Sequence, residues 1–306
     1  MQVVRVCKTT RDSSLPACRP AGAQNDMLVI MIGVFDSGFG GLTILKSFLD
    51  KLPEYDYVYL GDNARAPYGS KSHDTIYQYT CEALKFLFAQ GCDLVILACN
   101  SASAEALRQV QQEFLPKNFP DKKVLGVVVP IVEGVTEFIE NKKLDSKKVR
   151  VGIIGTRATI ESKVFEKELA KRNFSGEILA RACPLLVPLV EENWTKRPET
   201  KTILKKYLQP LKTNNINILV LACTHYPILF NQVQHAIGRK VFVLNPPEIV
   251  AEKLKDFLKR HPEIETRLSK NKKRLFYTTD NVQRFSKFTS RFLNLQSPQI
   301  EKTKIS

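Results

Sequence analysis

The 306-residue chain lacks the residue patterns of a metal site or of a disulfide-stabilised fold. Its seven cysteines form no CxxC pair, and its four histidines form no HExxH motif. An odd number of cysteines without paired spacing argues against a disulfide framework and against a zinc ribbon. We therefore expect free thiols in a reducing cytosol and no bound metal.

The chain also lacks long apolar segments and the common nucleotide-binding loops. No apolar run approaches the roughly 18 residues that a membrane-spanning helix needs, and no secretory signal is recognisable near residue 1. Segment 38–43 lacks the third glycine of GxGxxG, and the pattern GxxxxGK does not occur. These absences exclude a membrane span and argue against a dinucleotide or Walker-type nucleotide site.

Positive charge is in excess. The chain has 46 Lys and Arg against 31 Asp and Glu, and residues 251–306 have 14 against 6. A net charge of +15 favours an anionic substrate or partner, although a solvated basic face is the simpler interpretation. The cluster Lys270-Asn-Lys-Lys-Arg274 is basic enough for nucleic acid but shows no interleaved stacking pattern and no recognised binding motif.

The apolar pattern predicts alternating strands and helices from residue 28 onwards. We expect strands at 28–34, 55–60, 93–98, 124–129, 149–155 and 217–222, and helices at 42–52, 76–88, 103–115 and 227–238. Such alternation indicates βαβ units, hence an α/β fold with largely parallel sheets flanked by helices. Residues 1–27 show no periodicity, and we predict a disordered extension there.

One segment of the sequence occurs twice. Asp93-Leu-Val-Ile-Leu-Ala-Cys99-Asn-Ser matches Asn217-Ile-Leu-Val-Leu-Ala-Cys223-Thr-His, with the cysteines 124 residues apart. The repeat indicates two pseudo-symmetric halves, each with a cysteine between the carboxyl end of a strand and the start of a helix. Sites in open α/β sheets form at these strand ends, and a helix N-terminus stabilises a thiolate or a bound carboxylate.

The paired cysteines are the strongest functional signal. Single cysteines are often buried for structural reasons, but Cys99 and Cys223 occupy equivalent positions, and polar residues follow each. Two opposed thiols fit a reaction that is symmetric about one carbon, in which one removes a proton and the other supplies one. An ordinary thiol is only about 3% ionised at neutral pH. Helix N-termini and local partners must raise that fraction, and the site must also stabilise carbanion-like charge with preorganised donors rather than with a cofactor.

Three further residues near predicted strand ends are candidates for the site. Asp36 ends the first strand within Gly33-Val-Phe-Asp-Ser-Gly-Phe-Gly-Gly41, whose glycines allow the backbone to approach a small anionic ligand closely. His225 follows Cys223 by two residues, which favours a role in orienting that thiol and exchanging protons with it. Tyr68 lies in the loop after the second strand, at the same end of the sheet.

Five motifs together resemble glutamate racemase. They are the segment Gly33–Gly41, Tyr59-Leu-Gly-Asp62, Pro67-Tyr-Gly69, Ala98-Cys-Asn-Ser101 and Cys223-Thr-His-Tyr-Pro227, in that order. The resemblance runs from about residue 31 to at least residue 245. It implies an isomerase without a cofactor that interconverts L- and D-glutamate and supplies D-glutamate for peptidoglycan, and hence for the cell wall and cell shape.

The same resemblance implies roles for individual residues. Cys99 and Cys223 are the implied acid/base thiols, the first acting on the D enantiomer and the second on the L enantiomer. Asp36 would assist Cys99, and His225 would assist Cys223. The implied substrate contacts are Asp36, Ser37, Tyr68, Gly69, Asn100, Ser101, Thr224 and His225. Glu191, in Val187-Pro-Leu-Val-Glu-Glu192, resembles a further carboxylate of the family near the site.

The resemblance also implies a domain organisation. The C-terminal segment returns to the first domain, so we predict residues 28–121 plus 249–306 as one domain and residues 122–248 as the other. The active site lies between them and closes on its substrate. A homodimer is expected by the same analogy, whereas the cysteine usage predicts the cytoplasm as its location.

Some positions depart from the family pattern. Ser101 stands where threonine is usual, and Ala222 stands where glycine precedes the second cysteine. Asn245-Pro-Pro247 stands where an acidic residue is common. The N-terminal extension and the basic C-terminal stretch are not explained by a racemase.

Two alternatives remain open at this stage. One is a related aspartate or hydantoin racemase, although the aspartate enzymes usually have a glutamate at the position of His225. The other is binding of nucleic acid or of DNA gyrase through the basic surface, as a secondary role. A salt-sensitive interaction with DNA would distinguish it.

Overall fold

The computed structural model describes residues 30–295 and 298–306. The extension predicted at residues 1–27 lies outside the described residues. The described chain forms two parallel β-sheets with flanking helices, which confirms the α/β class expected from the sequence. We call the six-stranded sheet with its helices the first lobe, and the four-stranded sheet with its helices the second lobe.

The first lobe has a sheet of six parallel strands. In spatial order they are β10 (Ile300–Lys302), β9 (Arg274–Thr278), β2 (Tyr57–Gly61), β1 (Met31–Asp36), β3 (Cys92–Leu97) and β4 (Lys123–Gly126). Every residue of β1 is buried, and its side chains alternate between two apolar clusters on the two faces of the sheet. Burial on both faces explains why this strand is a continuous apolar run in the sequence.

The second lobe has a sheet of four parallel strands. In spatial order they are β6 (Glu177–Ala182), β5 (Arg150–Gly155), β7 (Ile218–Ala222) and β8 (Phe242–Val243). Val151 and Val220 on one face belong to the same apolar cluster as Ile32 and Val34 of β1. The two lobes are therefore joined by a shared core rather than by a bare linker.

Helices cover the sheets of both lobes. In the first half of the chain they are α1 (Leu42–Lys51), α2 (His73–Ala89), α3 (Asn100–Glu105), α4 (Leu107–Gln109), α5 (Leu115–Asn118) and α6 (Val128–Asn141). The others are α7 (Arg157–Glu161), α8 (Val164–Ala170), α9 (Leu186–Glu191), α10 (Pro198–Thr213), α11 (Phe230–Ile237), α12 (Pro246–Arg260), α13 (Pro262–Glu265) and α14 (Val282–Leu293). Short 3₁₀ turns span Asn63–Arg65, Tyr68–Ser70, Ser146–Lys148 and Tyr226–Leu229.

Local sequence explains where several helices begin. The Ser72 hydroxyl accepts a hydrogen bond from the backbone N–H of Thr75 and caps α2. Proline opens both α10 and α12, where its missing N–H removes no intrahelical hydrogen bond. Apolar residues at helical spacing then bury one side of each helix against the sheets.

Two predicted elements differ from the structure. The strand expected at 124–129 ends at Gly126, and α6 begins at Val128, because Val128, Ile131 and Val135 pack as one helical stripe into the core. The helix expected at 103–115 begins earlier, at Asn100, and is interrupted by a π-helical turn over Val110–Phe114. Tertiary packing overrides the β-branched run in the first case.

The sheet to which each strand belongs can be compared with the predicted domain boundaries. The strands β9 and β10 return to the first sheet, where β9 pairs with β2. Strand β4, however, lies beyond the predicted boundary at residues 121/122 and pairs with β3. The chain therefore leaves the first sheet only after Gly126, and the division into domains stays a prediction.

Within residues 30–295 and 298–306, every helix is too short or too polar to span a membrane.

Candidate active site

A cavity of about 30 Å³ lies between the two lobes, at the carboxyl ends of their central strands. The lining residues are Ser37, Gly38, Ala66, Pro67, Tyr68, Gly69, Cys99, Asn100, Ser101, Thr156, Val187, Glu191, Cys223, Thr224 and His225. Strands β1, β3, β5 and β7 end at the cavity, because parallel strands present their carboxyl ends at one edge. The loop after β2 and helix α9 supply the remaining lining residues.

Cys99 is the thiol of the first lobe. It lies between β3 and α3 and is almost completely buried. The Ser37 hydroxyl is 3.3 Å from its Sγ atom. Burial, and then the charge of nearby Asp36, raises the pKa of the Cys99 thiol to about 12, although Ser37 and the backbone N–H of Ala102 act in the opposite direction. The thiol is therefore protonated at neutral pH.

Asp36 lies behind the cavity wall and links the two lobes. One carboxylate oxygen accepts a hydrogen bond from the Gly38 N–H at 3.0 Å, and the other accepts one from the Thr224 hydroxyl at 3.2 Å. Burial raises the pKa of Asp36, while the charge of His225 and the N–H groups of Gly41 and Gly38 oppose this rise. Asp36 thus acts on Cys99 through its charge and on Thr224 through a hydrogen bond.

Cys223 is the thiol of the second lobe, and it has a different partner. His225 Nδ1 is 4.0 Å from its Sγ atom, and His225 Nε2 is 3.1 Å from Glu191 Oε1. Burial alone would lower the pKa of His225, but Cys223 and the Glu191 carboxylate outweigh it and raise this pKa to about 10. His225 is therefore an imidazolium at neutral pH, held between a sulfur and a carboxylate.

The loop after β2 places Tyr68 and Gly69 against the cavity. The Tyr68 hydroxyl donates to the fully buried Asp62 at 2.5 Å, and burial followed by the Asp62 charge raises the pKa of Tyr68. A Cβ atom on Gly69 would lie 2.4 Å from the Cβ atom of Thr156. Glycine is therefore required where this loop passes the second lobe.

Hydroxyl and amide groups complete the wall. Ser101 Oγ is 2.9 Å from Thr156 Oγ1, so the hydroxyl retained at this position joins the two lobes. Among the described residues, Asn100 Oδ1 is one of four buried side-chain polar atoms without a hydrogen-bond partner. A buried acceptor of this kind fits a ligand that brings its own donor, such as an ammonium group.

The structure brings all the sequence-predicted site residues together. Asp36 lies directly behind the wall, and the other predicted residues line the cavity. Five further lining residues were not among the predicted site residues: Gly38, Ala66, Pro67, Thr156 and Val187. Thr156 follows the predicted strand at 149–155, so its place at a strand end was a usable signal. Nothing local in the sequence marks Val187.

The basic cluster lies away from this cavity, and part of its charge is used within the fold. Lys270 pairs with Glu265. The Arg274 guanidinium donates to the backbone carbonyls of Pro53 and Tyr55. In the part of the chain that the structure describes, no three His, Cys, Asp or Glu side chains are arranged to hold a metal ion.

Known proteins share both the sequence and the fold. The family model described as Asp/Glu/Hydantoin racemase matches residues 43–254. The glutamate racemase of Paracoccus denitrificans is 39% identical over 267 residues, which cover 86% of this chain and 96% of the relative. That of Aquifex aeolicus is 42% identical over 228 residues, covering 74% of this chain and 83% of the relative.

Solved structures agree with these relatives. A glutamate racemase isoform from Bacillus anthracis superposes with a TM-score of 0.80 at 30% identity, covering 90% of this chain and 97% of that one. The glutamate racemase of Francisella tularensis, solved in complex with D-glutamate, gives 0.78 at 33% identity with the same coverages. The resemblance seen in the five motifs is confirmed: the chain belongs to the Asp/Glu/hydantoin racemase family of isomerases.

Proposed function

We propose that the protein is a glutamate racemase that interconverts L- and D-glutamate by proton transfer between Cys99 and Cys223, without a cofactor. The observation that carries this proposal is that both thiols line one cavity, one from each lobe. Each has its own polar partner, Ser37 for Cys99 and His225 for Cys223. One carbon held between them can lose a proton on one face and gain a proton on the other.

The proposed reaction moves one proton from L-glutamate to Cys223 and a second proton from Cys99 to the substrate. Starting from L-glutamate, the Cys223 thiolate takes the α-proton, and the electron pair of the broken C–H bond stays on the α-carbon and its carboxylate. The Cys99 thiol then gives its proton to the opposite face and becomes a thiolate. The reverse direction begins from that thiolate. The His225 imidazolium stabilises negative charge on the Cys223 sulfur, and the Ser37 hydroxyl does so on Cys99.

Cavity chemistry supports an amino-acid substrate with a second carboxylate. The unpartnered Asn100 Oδ1 suits the α-ammonium group, and hydroxyls of Ser37, Ser101 and Thr224 suit carboxylate oxygens. The cavity of about 30 Å³ is small for glutamate, and we expect the lobes to move apart to admit it. The relatives named for glutamate, and the one solved with D-glutamate, favour this substrate over aspartate.

With this activity, the protein would supply D-glutamate for peptidoglycan in the cytoplasm. The homodimer, and binding of nucleic acid or gyrase, stay predictions from the sequence.

Circular dichroism at one wavelength tests the activity. Purified protein receives L-glutamate or D-glutamate without any cofactor, and we expect both signals to decay to zero. A flat signal with glutamate together with decay of an aspartate signal would overturn the choice of substrate.

Single cysteine variants test the mechanism. We expect Cys99→Ala and Cys223→Ala to abolish racemisation while each still binds glutamate in a calorimetric titration. Cys81→Ala is the matched control, because Cys81 is a buried thiol on α2 that does not line the cavity. Near-native turnover by either of the first two variants would exclude the two-thiol scheme.

Deuterium incorporation tests the use of two separate groups. In heavy water the donating thiol holds solvent deuterium, so the opposite enantiomer forms with deuterium at its α-carbon while the remaining substrate keeps its proton. Proton NMR of early time points measures both. Equal early labelling of substrate and product would indicate one base acting on both faces.

A further inference from the structure

Helix α14 belongs to the first lobe but reaches the second lobe beside the cavity. Its Phe285 side chain is fully buried, with ring centroids 5.7 Å from Phe39 and 5.8 Å from Tyr59. The Asn281 side chain caps the helix by accepting a hydrogen bond from the Arg284 N–H at 2.9 Å. The first turn of α14 is therefore held firmly, with Arg284 next to the buried anchor.

One side of α14 contacts the segment that follows α9 in the second lobe. Arg284 Nη2 is 3.1 Å from Glu192 Oε1 and 3.8 Å from Glu191 Oε2. Two helical turns later, Arg291 Nη1 donates to Asn193 Oδ1 at 2.6 Å. Two arginines of one helix thus hold three consecutive residues of the other lobe.

Glu191 connects this contact to the site. Its Oε2 atom is turned towards Arg284, while its Oε1 atom is 3.1 Å from His225 Nε2. The Glu191 carboxylate therefore lies between two cationic partners, Arg284 and His225. His225 in turn faces Cys223. Arg284 does not line the cavity, so any effect on the reaction must pass through Glu191.

We propose that Arg284 is a positioning residue for the Cys223 half of the site: it fixes the Glu191 carboxylate, which in turn holds His225 against the thiol. This inference rests on the proposed racemase function and adds a residue from the C-terminal segment to it. The groups that face His225 are Cys223, Glu191 and, from β1, Asp36. Arg284 is the cation that restrains Glu191 on its far side.

The expected effect is moderate, because the Arg284 side chain is 46% exposed and water screens its charge. We expect Arg284→Gln to lower kcat about fivefold in both directions with KM within about twofold. Both enantiomers are equally stable in water, so kcat/KM must fall equally for L- and D-glutamate. Arg284→Lys keeps the charge and is expected to recover part of the loss.

Arg291→Gln is the matched control, since it also removes a contact between α14 and the second lobe but leaves Glu191 untouched. We expect this variant to keep wild-type kcat. A general loosening of the helix would slow both variants alike and would refute a specific role for Arg284.

A double variant tests the route through Glu191. In a Glu191→Gln background we expect Arg284→Gln to have no additional effect on kcat. A full fivefold loss in that background would overturn the proposal, because Arg284 would then act by another path.

Histidine-labelled NMR separates this inference from the racemase function. We expect the His225 ring nitrogen signals of the substrate-free protein to shift in Arg284→Gln and to stay in place in Arg291→Gln. Unchanged His225 signals in both variants would refute the positioning role. Shifted signals in a protein that does not racemise glutamate would refute the proposed function and leave the positioning contact standing.

Discussion

Gly40 lies where the lobes touch behind the site, and replacing it with alanine tests how tightly this contact is built. A Cβ atom at this position would be 2.3 Å from Thr224 Oγ1 and 2.5 Å from His225 Nδ1. Both distances are far below ordinary van der Waals contact. Because both neighbours belong to the proposed site, the substitution is expected to disturb stability and activity together.

The expected loss of stability and activity depends on how far Thr224 and His225 can move away from the new Cβ atom. Thr224 Oγ1 and His225 Nδ1 would have to move about 1 Å away from the Cβ atom to reach ordinary van der Waals contact. Thr224 is held on two sides, since its hydroxyl donates to Asp36 and its carbonyl accepts from the Thr43 hydroxyl at 3.1 Å. Overpacking of this kind costs about 1–3 kcal/mol of unfolding free energy. A displacement of about 1 Å in a catalytic group lowers turnover about 100-fold.

Urea denaturation measures the first quantity for Gly40→Ala, and racemisation followed by circular dichroism measures the second. Gly38→Ala is the matched control in the same turn. Its Cβ atom would have no neighbour closer than Glu191 Oε1 at 3.7 Å, an ordinary contact. We expect the control to change the unfolding free energy by no more than about 0.5 kcal/mol. Equal unfolding free energies of the two variants would refute the reasoning.

Two further predictions concern buried charges. Asp62 is a fully buried carboxylate that pairs with Arg65 at 2.7 Å and accepts from the Tyr68 hydroxyl, so we expect Asp62→Ala to lower the unfolding free energy by about 3–5 kcal/mol in urea denaturation. Asp50→Ala removes an exposed carboxylate and is expected to cost less than about 1 kcal/mol; equal losses would contradict the burial argument. The pKa of His225 is raised from 6.5 to about 10 in the folded state, so its protonation stabilises the fold below about pH 6.5 and this contribution is lost as the pH rises towards 10. The stability difference between the wild type and His225→Gln is therefore expected to shrink between pH 6.5 and 10, and a difference independent of pH would contradict the assigned shift.

The sequence predicted the central strands well because their physical cause is local. Strands β3, β5 and β7 lie within one residue of their expected bounds, since burial on both faces demands an unbroken apolar run. The start of α6 could not be predicted from the apolar pattern. Its Val127-Val-Val129 run has the composition of a strand, and only packing against the core selects the helix.

The site was predictable to the extent that it lies at strand ends. Parallel strands bring their carboxyl ends to one edge, so the sequence alone was enough to group Asp36, Cys99 and Cys223 in one site. Contacts between side chains that lie far apart in the sequence could not be predicted. The pairing of Glu191 with His225, and of Arg284 with Glu192, joins elements with no shared periodicity.

The repeat predicts two equivalent thiols, but the structure surrounds them differently. Cys99 has a neutral hydroxyl as its partner, whereas Cys223 has an imidazolium backed by a carboxylate. Hydrogen bonds from charged donors are roughly twice as strong as those from neutral ones, so negative charge is better stabilised on the Cys223 sulfur. Racemisation ends with equal amounts of both enantiomers, and this asymmetry cannot make kcat/KM differ between the two directions. The two enantiomers can still differ in kcat and in KM, but both parameters must then differ by the same factor.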